Sequence, residues 1–210
     1  MGIQPGGEMR WLPASVPGGV HTDLLRLGMI PDPFVVDNEK RVQWVAETDW
    51  VYRCSFSVDP SLATSGKKFL VCDGLDTLAE MNLNGHPLGT ADNMFRCWQW
   101  EVSDFLADGE NEIEVVFKAP LEYIRSRQVE NPLVGGGDIP GGPHLRKAPC
   151  HWGWDWGPKL PAIGIWKDIR LKGYAIAMFE DVHIRQIHVD GKVIVSATVR
   201  IEQWKNSALH

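Results

Sequence analysis

The stretch Trp50-Val-Tyr-Arg-Cys-Ser-Phe-Ser-Val58 sets apolar or aromatic side chains at every second position, with mainly polar residues between them. This period of two is typical of a half-buried β-strand, because successive side chains of a strand point to opposite faces of the sheet. The same alternation recurs at Trp98–Glu101, at Ile113–Phe117 and at Val193–Ile201. The chain is therefore predicted to be built from short strands.

Turn signals separate these strands, and helical signals are few. Asn84-Gly85 is the dipeptide best suited to a type I′ hairpin turn, and Asp190-Gly191 predicts a second one. Short helices are predicted only at His21–Leu27 and from Pro120 to Gln128, where proline occupies the first turn. Many short strands with hardly any helix predict an all-β fold, an antiparallel β-sandwich.

The composition is that of a globular protein with an unusual content of tryptophan. Of the 210 residues, 44% are hydrophobic and 23% are charged, and 10 are Trp. So much indole predicts either a filled core or a surface that binds a ligand with an apolar face. The net charge is −6 and the basic residues are scattered. We therefore expect no nucleic acid partner, because binding to phosphates needs clustered cations.

Neither a signal peptide nor a membrane span is predicted. The first residues lack a basic segment followed by an apolar one. No run approaches the roughly 18 apolar residues that a membrane helix needs. We therefore expect a cytoplasmic protein without a membrane partner.

The cysteine and histidine patterns predict no metal and no cofactor. Cys54, Cys72, Cys97 and Cys150 lie far apart without a CxxC pair, and we interpret them as buried thiols. The sequence contains no HExxH motif, no calcium-binding loop and no nucleophilic serine elbow. No catalytic residue is assigned in this chain.

A domain boundary is predicted between residues 173 and 174. Beyond it the sequence shows two or three strands in fewer residues than the roughly 40 below which domains seldom stand alone. We interpret residues 1–173 as one sandwich and residues 174–210 as the first strands of a second sandwich whose remainder is missing. Because an incomplete sheet exposes strand edges, we expect self-association or disorder beyond about Tyr174.

The segment from Asn131 to Pro158 is the candidate binding site. It holds two glycine clusters, then Arg146-Lys147, then Trp152-Gly-Trp-Asp-Trp-Gly-Pro158. Indoles stack on the C–H faces of sugars and a carboxylate accepts hydroxyl hydrogen bonds, so this run predicts a sugar-binding loop. If the run is extended, its three indoles share one side. The alternative is that the indoles pack against a neighbouring domain or under the Gly-rich loop, that backbone amides bind Asp155, and that Arg146-Lys147 is a solvated pair.

Several motifs together resemble one enzyme family. They are Ala14-Ser-Val-Pro-Gly-Gly-Val-His-Thr-Asp-Leu-Leu25, Ile30-Pro-Asp-Pro-Phe34, Glu39, Gln43-Trp-Val45, Asp49-Trp-Val-Tyr-Arg53, Asp73-Gly-Leu-Asp-Thr-Leu-Ala79, Leu83-Asn-Gly85, Arg146-Lys147, Gly153-Trp-Asp-Trp-Gly-Pro158 and Gly164-Ile-Trp166. From about Trp11 to its end, the chain resembles the N-terminal region of the β-mannosidases of glycoside hydrolase family two.

This resemblance implies a galactose-binding-like jelly-roll β-sandwich, then the first strands of an immunoglobulin-like β-sandwich, with a (β/α)₈ barrel that this chain lacks. In that family the barrel carries two glutamates, an acid/base and a nucleophile, about 5–5.5 Å apart for retaining hydrolysis of terminal β-D-mannosides. Asn38-Glu39 and Asn111-Glu112 match the family's Asn-Glu dipeptide but lie in sandwich sequence, so neither is predicted to be catalytic.

The same resemblance assigns Trp154 and Asp155, together with Arg146, to a loop that reaches the barrel's mouth and contacts the mannose. We therefore expect the non-catalytic, N-terminal part of an exo-acting β-mannosidase, inactive by itself, with a β-mannoside as its substrate partner. A stand-alone carbohydrate-binding module is one alternative. A purely structural sandwich of another family-two glycosidase, such as a β-galactosidase or β-glucuronidase, is the other.

One departure from the family concerns the N-terminus. Family members begin with a strand of the pattern Leu-x-Gly-x-Trp-x-Phe, and Met1–Arg10 does not match it. Either the sandwich lacks an edge strand or the chain begins late.

Overall fold

A computed structural model describes residues 1–3, 9–62 and 64–205, and strands dominate these ranges. The strands are β1 (Gly2–Ile3), β2 (Arg10–Trp11), β3 (Trp50–Ser57), β4 (Lys67–Cys72), β5 (Leu75–Asp76), β6 (Ala79–Leu83), β7 (His86–Ala91), β8 (Trp98–Glu101), β9 (Glu110–Phe117), β10 (Trp152–Trp154), β11 (Gly157–Lys159), β12 (Gly164–Ile165), β13 (Ile169–Tyr174), β14 (Ala177–Val189) and β15 (Lys192–Gln203). The α-helices are α1 (Val20–Arg26) and α2 (Pro120–Glu130), and 3₁₀ helices lie at Asn38–Glu47, Pro60–Leu62, Gly142–His144 and Pro149–His151.

Two antiparallel sheets form the predicted sandwich. The larger has the strand order β2-β1-β3-β9-β6-β7, and the smaller has the order β13-β4-β8. A 2.9 Å hydrogen bond from the Asp73 backbone N–H to the Asp168 carbonyl continues the smaller sheet into the β5–β12 pair. Trp50 and Phe117 from one sheet share a hydrophobic core with Leu70 and other residues of the second. The alternating residues of the predicted strands form this core.

Both predicted helices and both predicted hairpin turns are confirmed. Asn84 and Gly85 have φ angles of 52° and 80°, and Asp190 and Gly191 have φ angles of 48° and 70°. Residues 163–171, where apolar side chains also alternate, divide into β12 and β13, because the two strands pair with different partners, β5 and β4.

A second, smaller core lies beside the sandwich. Leu121 and Ile124 of α2 pack there with Leu145, Trp152 and Ala46. Because Trp152 belongs to this core, it anchors one end of the tryptophan-rich segment to the body of the domain.

Three of the four cysteines are exposed, so the interpretation as buried thiols is wrong for them. Cys72 is buried on β4, whereas Cys54, Cys97 and Cys150 are exposed free thiols. Cys54 lies toward the end of β3, where exposed residues replace the buried ones of its first half.

At the N-terminus, β1 pairs with both β2 and β3, so β2 is a short edge strand of the larger sheet. The rest of that prediction falls on residues 4–8, which lie outside the described residues. No helix within the described ranges is long and apolar enough to cross a membrane.

Strands β14 and β15 form a separate hairpin with regular pairing from Ala177↔Gln203 to Val189↔Lys192, apart from one bulge at Phe179/Asp181. The structure therefore shows an ordered hairpin rather than disorder after Tyr174. The predicted boundary falls at the last residue of β13 and stays a prediction, as does self-association. Residues 206–210 lie outside the described residues.

Candidate sugar-binding site

The tryptophan-rich run forms a tight hairpin rather than one extended segment. Trp152 pairs with Lys159 and Trp154 pairs with Gly157, so Asp155 and Trp156 occupy the turn. We call Trp154, Asp155 and Trp156 the tip.

The three indoles do not share one environment, and the prediction that all three line one face is wrong for Trp152. Its side chain is 1% exposed in the second core, whereas Trp154 is 43% and Trp156 84% exposed. The hairpin separates them because Gly153 adopts a φ of 92°, which breaks the regular alternation of an extended strand.

An open groove of about 510 Å³ lies beside Trp154 and Trp156 of the tip, and Asp155 is not among its lining residues. Its lining is mainly apolar and aromatic, and it consists of Phe34, Pro149, Cys150, His151, Trp154, Trp156, Gly157, Pro158 and Leu160. The Asp155 side chain is exposed, and it has no hydrogen-bonding or ionic partner within the described ranges. Two exposed indoles and an uncommitted carboxylate at one turn are the groups that a neutral sugar needs.

Polar side chains of the Asn38–Glu47 helix hold the second strand of the hairpin. The Glu39 carboxylate accepts a 2.9 Å hydrogen bond from the backbone N–H of Lys159. The amide of Gln43 donates to the carbonyl of the same Lys159 at 2.6 Å. Both backbone groups of one β11 residue are thereby satisfied from outside the hairpin, which fixes its position on the domain.

The glycine-rich loop lies under the first strand of the hairpin. The backbone N–H groups of Asp138 and Ile139 both donate to the Trp152 carbonyl at 3.0 Å. A Cβ on Gly137 would come within 2.7 Å of the Trp152 Cβ. The glycines therefore allow close packing of backbone against Trp152.

A buried ion pair lies at the base of the hairpin. The Lys147 ammonium is 2.5 Å from Asp76 Oδ1 and donates to the Ala162 carbonyl at 2.6 Å. The Thr77 hydroxyl donates to the same Asp76 oxygen. Burial lowers the pKa of Lys147, and the Asp76 carboxylate opposes this effect. The interpretation of Lys147 as solvated is wrong, and no periodicity in the sequence indicated its burial.

Two histidines adjoin this pair. His151, which lines the groove, places Nδ1 3.6 Å from Asp76 Oδ2, and burial lowers its pKa. Burial, with smaller contributions from Lys147 and His151, lowers the pKa of His21 to about 4. Both ring nitrogens of His21 are buried without a hydrogen-bond partner in the described part of the chain. Both imidazoles are therefore neutral at neutral pH.

The structure brings Trp154 and Asp155 together but places Arg146 elsewhere. The exposed Arg146 side chain lines a neighbouring depression with Phe95 and Pro143, and its carbonyl accepts a hydrogen bond from the Met94 N–H. A sugar-binding role for Arg146 stays a prediction.

The two Asn-Glu dipeptides have structural partners. Glu39 binds the hairpin backbone. Asn111 is buried, accepts a hydrogen bond from the Ala107 N–H, and donates to the carbonyls of Ala107 and Gly109. Within the described residues, no group of three His, Cys, Asp or Glu side chains is arranged to hold a metal ion.

Comparisons with known proteins agree with this fold and its motifs. Beta-mannosidase B of Emericella nidulans is 36% identical over 205 residues, which cover 94% of this chain and 24% of that protein. The Bos taurus beta-mannosidase is 35% identical over 187 residues, which cover 83% of this chain and 21% of that protein. The crystal structure of beta-D-mannosidase from Dictyoglomus thermophilum superimposes with a TM-score of 0.86 at 38% identity, over 97% of this chain and 25% of that one.

This chain spans about a quarter of the length of these relatives. The predicted similarity to the N-terminal portion of family-two β-mannosidases is confirmed. The immunoglobulin-like assignment of the β14–β15 hairpin is not separately confirmed and stays a prediction.

A family model described as glycosyl hydrolase 2 galactose-binding domain-like matches residues 3–167, which include the whole tryptophan-rich hairpin and the strands of the sandwich from β2 to β12, but not β13. The predicted galactose-binding-like sandwich is thereby confirmed, and the chain belongs to the glycosyl hydrolase 2 galactose-binding domain-like family.

Proposed function

We propose that this chain is the substrate-recognition part of an exo-acting β-mannosidase. Its tip forms one wall of a site for the terminal mannose, and a separate barrel supplies the two catalytic glutamates. On this proposal the chain alone does not hydrolyse β-mannosides. The relatives named beta-mannosidase, at 35–38% identity, support this substrate class.

The observation that carries the proposal is the tip itself. Asp155 is an exposed carboxylate between two exposed indoles, on a hairpin whose backbone is held by Glu39, Gln43 and the 138–139 segment. A ligand that stacks on indole and offers two hydroxyls to one carboxylate fits these groups. A rigid support is what a recognition loop requires, because it limits the entropy lost when the sugar binds.

The test is a chimera in which this chain replaces the corresponding quarter of the Dictyoglomus thermophilum β-D-mannosidase. With p-nitrophenyl β-D-mannoside as the substrate, Asp155→Ala is expected to lower kcat/KM about 100-fold, since hydrogen bonds to a charged group contribute about 1.5–3 kcal/mol each. Asp108→Ala, at an exposed carboxylate in the bend before β9 and away from the hairpin in sequence, is the control and leaves kcat/KM unchanged. Unchanged kcat/KM in Asp155→Ala would refute the proposal.

A stand-alone carbohydrate-binding module is the second candidate, because the groove is formed by this chain alone. Titration of the isolated chain with mannose separates the two functions. A half-site binds mannose hardly at all, whereas a complete module binds it at millimolar concentration or below. Millimolar or tighter binding would favour the module.

A further inference from the structure

The buried ion pair lies where it closes a loop. Lys147 immediately precedes the segment 148–161, and Ala162 immediately follows it. The Lys147 ammonium donates a hydrogen bond directly to the Ala162 carbonyl at 2.6 Å. The enclosed segment contains β10, the tip and β11. One side chain thereby joins the two ends of the loop that carries the candidate sugar site.

Asp76 attaches this closure to the sandwich. Its carboxylate lies on β5 and contacts the Lys147 ammonium at 2.5 Å, and β5 pairs with β12 in a two-stranded sheet beside the smaller sheet. Thr77 donates a hydrogen bond to the same carboxylate. We call Lys147, Asp76 and the Ala162 carbonyl the clasp.

The clasp also lies against the first residue of the hairpin and against a lining residue of the groove. The Lys147 ammonium lies 6.0 Å from the centroid of the Trp152 ring, at the start of β10. His151, a lining residue of the groove, faces the other oxygen of Asp76 at 3.6 Å. A change in the clasp therefore acts on both the hairpin and the wall of the groove.

Stability alone does not account for this arrangement. The side chains of Lys147 and Asp76 are 0% and 2% exposed, so both charges lose their hydration when the chain folds. Replacing a buried ion pair with well-packed apolar residues is often neutral or stabilising, because the attraction between the charges only offsets their desolvation. What an apolar pair does not provide is a directional hydrogen bond that fixes the Ala162 carbonyl.

We propose that the clasp positions the tip: by closing residues 147–162 into one loop and fastening it to β5, Lys147 and Asp76 hold Trp154 and Asp155 in the orientation that a sugar requires. They are positioning residues that do not touch the sugar. That this orientation serves to bind a sugar rests on the proposed function, whereas the ordering of the tip by the clasp does not.

The test compares single and double variants of the whole chain. Lys147→Met leaves Asp76 buried without its counter-ion, and we expect a large loss of stability, up to a failure to fold. The double variant Asp76→Leu/Lys147→Met removes both charges, and we expect its urea midpoint to return close to that of the unsubstituted chain. The matched control is Lys118→Met, because Lys118 forms exposed pairs with Asp49 and Glu80.

Hydrogen exchange of the backbone amides, read by mass spectrometry, then reports the tip separately from overall stability. In the double variant we expect exchange of residues 152–159 to accelerate about 10-fold or more while β3 and β9 keep their protection, since local opening is independent of global unfolding. Lys118→Met leaves the hairpin unchanged. If the double variant recovers both its urea midpoint and its hairpin protection, the clasp is only a stability element and the proposal is wrong.

The same variants in the mannosidase chimera link the clasp to Asp155. If the clasp acts through Asp155, the losses of kcat/KM from the double variant and from Asp155→Ala do not multiply when combined, because residues acting as one unit are non-additive. Losses that multiply would overturn action through Asp155. If Asp155→Ala alone changes nothing, the proposed function fails, while the exchange result still decides whether the clasp orders the tip.

Discussion

Trp152 and Trp156 belong to one motif yet lie in opposite environments. Trp152 packs in the core with α2 and is 1% exposed, whereas Trp156 is 84% exposed at the turn of the hairpin. The cost of truncating an aromatic side chain depends on the contacts it loses and on the cavity it leaves. The two residues therefore differ in role although they share a residue type and a motif.

Alanine substitution at the two positions tests this difference. Trp152→Ala is expected to lower the free energy of unfolding by about 3–5 kcal/mol, because it empties a fully buried indole site. Trp156→Ala, its matched control, is expected to change that free energy by no more than about 0.5 kcal/mol. Urea unfolding followed by far-UV circular dichroism measures both. Equal effects at the two positions would contradict the assignment of Trp152 to the core.

At the scale of elements, the two hairpins differ in how they are supported. The β10–β11 hairpin is short, but the 138–139 segment holds β10 and the Asn38–Glu47 helix holds β11. The β14–β15 hairpin is longer, and within the described residues it forms a sheet of its own. Its exposed apolar residues include Phe179, Val182, Ile184, Val193, Val195, Val199 and Ile201.

We expect the β14–β15 hairpin to drive self-association of this chain, because among the described residues it presents two strand edges without a paired strand, together with an apolar face. Val195→Lys, on the apolar face, is expected to shift the chain toward monomer. Ser196→Lys, on the opposite face of the same strand, is the control and has little effect. Sedimentation velocity at increasing protein concentration measures the change. A chain that is monomeric at every concentration would contradict the expectation.

At the scale of the whole molecule, the buried histidines link stability to pH. His21 has its pKa lowered to about 4 from an ordinary value of 6.5, and the pKa of His151 is lowered as well. Below about pH 6.5 the unfolded chain binds protons that the folded chain does not yet accept. The stability from His21 is therefore fully present above pH 6.5 and falls as the pH decreases toward 4.

As the pH falls from about 7 to about 5, protonation of His21 in the unfolded chain is expected to lower the free energy of unfolding by about 2 kcal/mol. His21→Phe abolishes its protonation, so the unfolding free energy of this variant should depend less on pH. His183→Phe, at an exposed histidine of β14, is the control and keeps the original dependence. Urea unfolding at several pH values gives both slopes. An unchanged slope in His21→Phe would show that its neutral burial does not govern stability here.

The strands were predictable where the local pattern matches the final environment. In β9, the residues Ile113, Val115 and Phe117 are buried and their neighbours are more exposed, so alternation in the sequence is alternation in the sheet. The Asn84-Gly85 turn was equally predictable, because positive φ at both positions is a local requirement. The exposure of Cys54 was not predictable, because the exposure of the end of β3 depends on what covers the sheet there.

At the candidate site, residue type and motif predicted Trp154 and Asp155 as site residues and a sugar as the ligand. They did not indicate Trp152 as a core residue, because a hairpin rather than an extended run separates the indoles. They also did not indicate the burial of Lys147, because its partner Asp76 is 71 positions away in the sequence.

By itself, then, the amino-acid sequence determined the class of fold and the hairpin turns, and it predicted the kind of ligand, because each depends on local spacing and on the chemistry of side chains. Only the tertiary structure decided which tryptophans face solvent, that Glu39 and Gln43 hold the hairpin, and that Lys147 closes its loop. These contacts join residues far apart in the chain, and their geometry exists only after the two sheets and the 3₁₀ helix have packed.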